Sequence, residues 1–169
     1  RKKLFEKTFY KPFAAVPGMA DFYRKLVGTG VGLHFVSTSP WHLYEPLAEF
    51  LTESGYPAST LHLKQIRLKD RTILDIAAKG ADIKPPIIAS IIDRYPARKF
   101  LLIGDSGEQD PEVYSGIFKK YPGRIRSIWI RNVTAAKRDD ARFAKVFAGI
   151  PADRWRLFDE PSELAGVAP

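Results

Sequence analysis

The sequence predicts an α/β domain built on a doubly wound parallel sheet. Short apolar runs of strand length alternate with runs of helical period about 10 to 15 residues long, the pattern of strands joined by right-handed helical crossovers. Only short turns separate them, with no internal repeat, low-complexity tract or Ser/Gly linker. The polar clusters fall directly after strand-like runs, at the carboxyl ends where such sheets bind ligands.

In chain order, Val31–Val36 reads as a buried strand. Ser39 then caps a helix with Pro40 at its first position, Leu43, Leu47 and Phe50 on its apolar face, and Gly55 as its stop. Thr60–Leu63 is a second strand. Ile83–Arg94 carries Ile87, Ile88, Ile91 and Ile92 at helical spacing, with Pro85 and Pro86 tolerable only in the first turn. Lys99–Ile103 is the clearest strand, followed by a helix over Pro111–Lys120, a strand over Ile125–Ile130 and a helix over Lys137–Phe147. Trp41, Trp129 and Trp155 lie in periodic apolar runs and are expected in the core, and His34 is expected as a strand histidine.

With 169 residues, 45% apolar and 27% charged, the chain has the composition of one folded domain, expected to extend over residues 1–169. The lack of cysteine excludes disulfides and thiolate metal sites, so any metal must sit on oxygen or nitrogen. No apolar run approaches the roughly 20 residues that span a bilayer. The formal charge of +8 favours anionic partners: phosphate esters, acidic lipid surfaces or nucleic acid. No nucleic-acid motif accompanies that charge. The first residue, Arg1, is not methionine, so a natural start is not assumed, and the expected location is the cytoplasm, at a membrane surface.

The loop Gly104-Asp105-Ser106-Gly107-Glu108-Gln109-Asp110, directly after a strand, places three carboxylates within six residues. Magnesium typically takes one or two protein carboxylates together with waters and a phosphate oxygen, and Asp105 and Asp110 suit it. The competing reading has Asp105 ending a strand and Asp110 capping the next helix. Ser37, with Thr38, follows an apolar strand, where a hydroxyl and backbone N–H groups can hold phosphate oxygens, or simply form a turn. Lys84 is expected beside a helix start, where a cation faces the positive end of the dipole; it reads either as an electrostatic group for a bound phosphate or as a surface lysine. Lys64 and Arg67, in a basic stretch continuing to Lys69 and Arg71, read as a solvated face or as contacts to an anionic substrate or membrane.

Three stretches, Phe35–Tyr44, Lys99–Tyr114 and Tyr121–Val133, resemble the actin-patch-associated phosphatidate phosphatase family, a branch of the haloacid dehalogenase superfamily. The middle stretch is similar to that family's Ile-Gly-Asp-Ser-Gly-Gln-x-Asp-Pro-Glu signature, with Glu108 where glutamine is usual. The resemblance implies that Ser37 binds substrate phosphate, that Asp105 and Asp110 are magnesium carboxylates, and that Lys84 is the lysine of the third motif. It also implies a sheet in spatial order 5-4-1-2-3 and a phosphomonoester substrate, phosphatidate in characterised members.

In that family the nucleophile stands in an Asp-x-Asp-x-Thr motif on strand 1. Here residues 1–16 hold no aspartate, Asp21 falls in a helical run, and Asp70-Arg71-Thr72 comes after the second motif. The expectation is a domain whose central strand 1 lies upstream of Arg1, with the segment alone inactive. The strands ending at Val36 and Ile103 then flank its position and should not pair with each other. Two other functions stay open: a non-catalytic domain that binds phospholipid or another anion in the same pocket, and a phosphatase acting on nucleic-acid ends.

Overall fold

The computed structural model describes residues 13–64 and 80–167. Its strands form two small parallel sheets. In chain order the elements are α1 (Met19–Gly28), β1 (His34–Pro40), a 3₁₀ turn (Trp41–Leu43), α2 (Tyr44–Glu53), β2 (Thr60–Lys64), α3 (Gly80–Arg94) and β3 (Phe100–Asp105). These are followed by α4 (Asp110–Lys120), β4 (Ile125–Arg131), α5 (Ala141–Val146), a 3₁₀ turn (Ala152–Arg154), β5 (Trp155–Phe158) and a closing 3₁₀ turn (Pro161–Leu164). Strands β1 and β2 make one sheet; β3, β4 and β5 make the other, in that order.

Strand β4 is the middle of the larger sheet, and its sequence shows why. Ile125, Ile128, Trp129 and Ile130 are almost wholly buried, and the consecutive run Ile128 to Ile130 is that of a strand covered on both faces. Alternate residues then build two cores. Leu102, Ile128 and Ile130 pack with Ile88 and Ile92 of α3, Val113 and Ile117 of α4, and Phe143 of α5. Leu101, Ile103 and Trp129 pack on the opposite face with Met19, Phe22, Tyr23 and Leu26 of α1 and with Leu164.

The same two layers extend over β1. Its Val36 packs against the α3–α4 core, while Leu33 and Phe35 pack against the α1 core, the Phe35 ring lying 5.6 Å from that of Tyr23. Strand β1 therefore lies in the plane of the larger sheet. His34, at the start of β1, lies 5.8 Å from the ring of Tyr95, just before β3, so the two strands begin at the same end. Yet β1 and β3 are not hydrogen-bonded to each other. A cleft of about 740 Å³ separates them, lined by His34, Phe35 and Val36 on one side and Phe100 to Ile103 on the other, and it reaches Asp110.

Several expectations need correction. Ser39 and Pro40 belong to β1; the chain then makes a 3₁₀ turn, and α2 begins only at Tyr44 without a side-chain cap, because the apolar Leu43 occupies its N-cap position. Helix α3 starts at Gly80, so Pro85 and Pro86 sit in its interior rather than its first turn. Lys84 is its fifth residue and not at its start, which removes the dipole argument, an effect of the first turn only. Helix α5 is shorter than Lys137–Phe147: the Asp140 carboxylate accepts the backbone N–H of Arg142 and starts the helix there. Trp129 and Trp155 are core residues, but Trp41 is 51% exposed. Strand β5 was not foreseen.

Arginines fasten the loops to backbone carbonyls. Arg124 donates to the carbonyls of Arg98, Ile92 and Tyr95, and Arg154 to those of Arg126 and Ile125. Arg138 donates to the carbonyls of Ala152 and Trp155, with its guanidinium 4.4 Å from the centre of the Trp155 ring. Among the described residues no helix is long and apolar enough to cross a membrane.

Candidate functional site

The carboxyl end of β3 holds a buried ionic cluster. Gly104 lets α4 approach: a Cβ there would lie 2.7 Å from both the Asp110 Cβ and the Tyr114 ring, closer than side chains allow. That proximity brings the Asp110 carboxylate back over the strand end, where its Oδ2 accepts the Asp105 N–H at 3.3 Å. Its Oδ1 accepts a hydrogen bond from the Lys84 ammonium of α3, and both side chains are buried, 10% and 7% exposed. Glu108 Oε2 stands 3.6 Å from the same ammonium but is largely exposed. Asp110 is thus no helix cap; Gln109 occupies that position.

Burial pushes the Asp110 carboxyl above the usual carboxylate range, with Lys84 opposing the shift by hydrogen bond and charge. The Asp105 carboxylate takes the other side of the loop, its Oδ1 accepting the Gly107 N–H at 2.8 Å. Its second oxygen has no protein partner among the described residues. Burial, and next to it the charge of Asp110, raise the Tyr114 phenol, which stays protonated and donates to the Ile103 carbonyl at 3.0 Å.

Two residues that the sequence reading passed over hold this loop. Ser106 is fully buried; its Oγ meets Thr134 Oγ1 at 3.0 Å and accepts the Val133 N–H at 2.9 Å, joining the loops after β3 and β4. Arg142 donates to the Ser106 and Glu108 carbonyls, each at 2.6 Å, and grips Glu112 with Nε and Nη2 at 2.8 and 2.9 Å. The bond from Arg142 holds the Glu112 carboxyl below its usual range. The Asp140–x–Arg142 helix start was the available signal.

On β1, which lines the other side of the cleft, Ser37 and Thr38 stand at and just past the strand's middle, where its register with β2 breaks between Val36 and Pro40. Such an irregularity re-aims side chains. The Ser37 hydroxyl donates to Ser39 Oγ at 3.0 Å and accepts the Ser39 N–H at 3.1 Å. Lys64 lies one strand further out, its backbone in register with Pro40. Arg67 lies outside the described residues, as do Lys69 to Thr72. Asp21 is on α1, paired with Arg24 on the surface. The structure therefore joins Lys84 to Asp110 and Asp110 to the Asp105 backbone, and places Ser37 and Thr38 on the strand that lines the other side of the cleft.

The donor set is compatible with magnesium in part. Asp105 offers a free oxygen and Asp110 a carboxylate shared with Lys84, which meets the one or two carboxylates that magnesium takes from protein. Among the described residues no group of three His, Asp or Glu side chains converges on one point.

Comparison with known proteins covers most of these residues. The chain is 33% identical over 135 residues to an uncharacterized protein of Schizosaccharomyces pombe, and 28% identical over 134 residues to the phosphatidate phosphatase APP1 of Saccharomyces cerevisiae. Each match covers 78% of this chain but 22% of the relative, so the chain spans about a fifth of the length of either protein. No solved structure matches it. Residues 1–132, which include the Asp105 loop, Lys84 and the end of β1, match the family described as the catalytic domain of phosphatidate phosphatase APP1, and the chain belongs to that family.

Proposed function

We propose that this chain forms the greater part of a magnesium-dependent phosphatase domain acting on a phosphomonoester, phosphatidate or a related lipid phosphate. The observation that carries this reading is the buried Lys84–Asp110 pair beside Asp105 at the carboxyl end of β3, at a cleft that reaches Asp110 and has β1 on its other side. Family membership supports it.

In this reading the cleft receives a strand from upstream of Arg1 bearing two aspartates. A strand spaced about 4.7–4.9 Å from its neighbours would stand between β1 and β3 in the cleft that separates them. The facing edges of β1 and β3 would supply its backbone partners. One aspartate attacks phosphorus as the leaving-group oxygen departs, and the other gives that oxygen its proton; water then cleaves the aspartyl phosphate. Asp105 and Asp110 would hold magnesium, which supplies Lewis-acid neutralisation of phosphate charge. The Ser37 hydroxyl turns from Ser39 to donate to a phosphate oxygen. Lys84 keeps Asp110 ionised in its buried position and adds positive charge beside the incoming phosphate.

Phosphate release from phosphatidate by the full-length protein tests this. Asp105→Asn should abolish turnover without unfolding, and retained turnover with unchanged magnesium dependence would refute the assignment. Amide exchange tests the strand: including the upstream segment should slow exchange along β1 and β3, and unchanged exchange would remove the argument for it. A non-catalytic anion-binding domain is the second reading, favoured by the lack of a third converging carboxylate among the described residues. Phosphate binding without turnover in the full-length protein would establish it.

A further inference from the structure

We infer that Trp41 and Tyr44 form a membrane-docking patch that seats the candidate site on a bilayer containing anionic lipid, an inference resting on the proposed lipid phosphate substrate. Trp41 is 51% exposed and Tyr44 39%, and their ring centroids lie 5.0 Å apart, so they present one aromatic surface. Neither the indole N–H nor the phenol has a hydrogen-bond partner among the described residues. Exposing a tryptophan forgoes burial of a large apolar area, and the other two tryptophans of the chain are buried.

The patch is placed for one task. Trp41 follows the Ser37–Pro40 strand end directly, and Pro40 lies in register with Lys64. On the opposite side of the site Val133 is 47% exposed and lies over the Asp105 loop, where a Cβ on Gly107 would come within 2.9 Å of it. Exposed apolar side chains thus flank the carboxyl ends of both β1 and β3. Tryptophan and tyrosine favour the water–bilayer interface, where an apolar ring and a polar tip are both accommodated. A phosphate headgroup sits at that same depth, and a net charge of +8 draws the chain to a surface carrying anionic lipid.

The test uses the full-length protein with phosphatidylcholine vesicles containing phosphatidate. Trp41→Ala/Tyr44→Ala should lower vesicle partitioning by roughly tenfold or more, and raise the lipid concentration for half-maximal hydrolysis by a similar factor. Hydrolysis of a short-chain, monomeric phosphatidate should keep its kcat. Lipids brominated on the acyl chains should quench a tryptophan signal that Trp41→Phe removes, a readout that does not depend on the alanine variant folding. Unchanged partitioning, absent vesicle binding by the unsubstituted protein, or quenching that survives Trp41→Phe would each overturn the inference. Trp41-dependent binding without hydrolysis of any phosphatidate would overturn the phosphatase reading and leave the docking surface standing.

Discussion

Replacing Lys84 by methionine keeps most of the side chain's volume and removes only its charge and hydrogen bonds. The partner it abandons, Asp110, is 7% exposed and keeps one contact, the 3.3 Å bond from the Asp105 N–H. Breaking a buried pair by deleting one member costs about 3–5 kcal/mol, and Glu108, mostly exposed, changes that figure little. The loss depends on pH. Burial already raises the Asp110 carboxyl, and the two Lys84 effects that oppose it vanish in the variant, so its folded value climbs further above the unfolded one. A group raised in this way stabilises below its unfolded value and loses that contribution as pH rises through the folded value. The variant should therefore lose stability with rising pH by up to about 1.4 kcal/mol per unit within that window. Adding Asp110→Asn removes the stranded charge and should recover about 1.5 kcal/mol or more at pH 7. Peptide-resolved hydrogen exchange over β4 in the metal-free full-length protein reads these differences. A cost below about 1 kcal/mol for Lys84→Met at pH 7, or no recovery on adding Asp110→Asn, would refute the reasoning.

Gly104→Ala forces a methyl against the Asp110 Cβ and the Tyr114 ring, both anchored on α4, and should cost about 1–3 kcal/mol while displacing the carboxylate; thermal unfolding and turnover should fall together. Arg142→Lys keeps a charge but cannot reach the Ser106 and Glu108 carbonyls and grip Glu112 at once, so exchange in residues 104–110 should quicken by about tenfold while β4 is unaffected. His34 and His62 share Thr60 Oγ1 at 2.5 and 3.0 Å, and burial lowers both imidazoles. Their stability contribution is full above the unfolded value and is lost as pH falls below about 6.5 toward the folded values; unfolding curves of His34→Asn/His62→Gln should be flatter across that range.

The strands β3 and β4 were legible because each carries an apolar run long enough to stand out, whereas β1 runs from His34 to Pro40 and so starts three residues later than the Val31–Val36 run suggested. Strand β5 was not legible, since Trp-Arg-Leu-Phe is only four residues long and acquires its partner from β4. The exposure of Trp41 was misread because an apolar run does not reveal which side of it the chain leaves uncovered. Local spacing is what singles out Asp105 and Asp110 as candidates, whereas the Lys84–Asp110 pair joins residues 26 apart, and spacing says nothing of such contacts. Arg142 was missed for the same reason: its carbonyl partners lie 34 and 36 residues away.

The arginines bound to main-chain carbonyls change what the charge of +8 means. A guanidinium holding two or three main-chain oxygens keeps its charge but not its freedom to turn toward an arriving anion. Such cations act as fixed background potential, while the response to a ligand falls to the side chains left mobile. Exchanging Arg124, Arg138 or Arg154 for lysine would leave the isoelectric point almost unchanged and the long-range pull on anions intact. It would instead loosen the connections between strands, because one ammonium cannot span acceptors arranged for a planar fork. Equal net charge would then conceal an unequal rigidity.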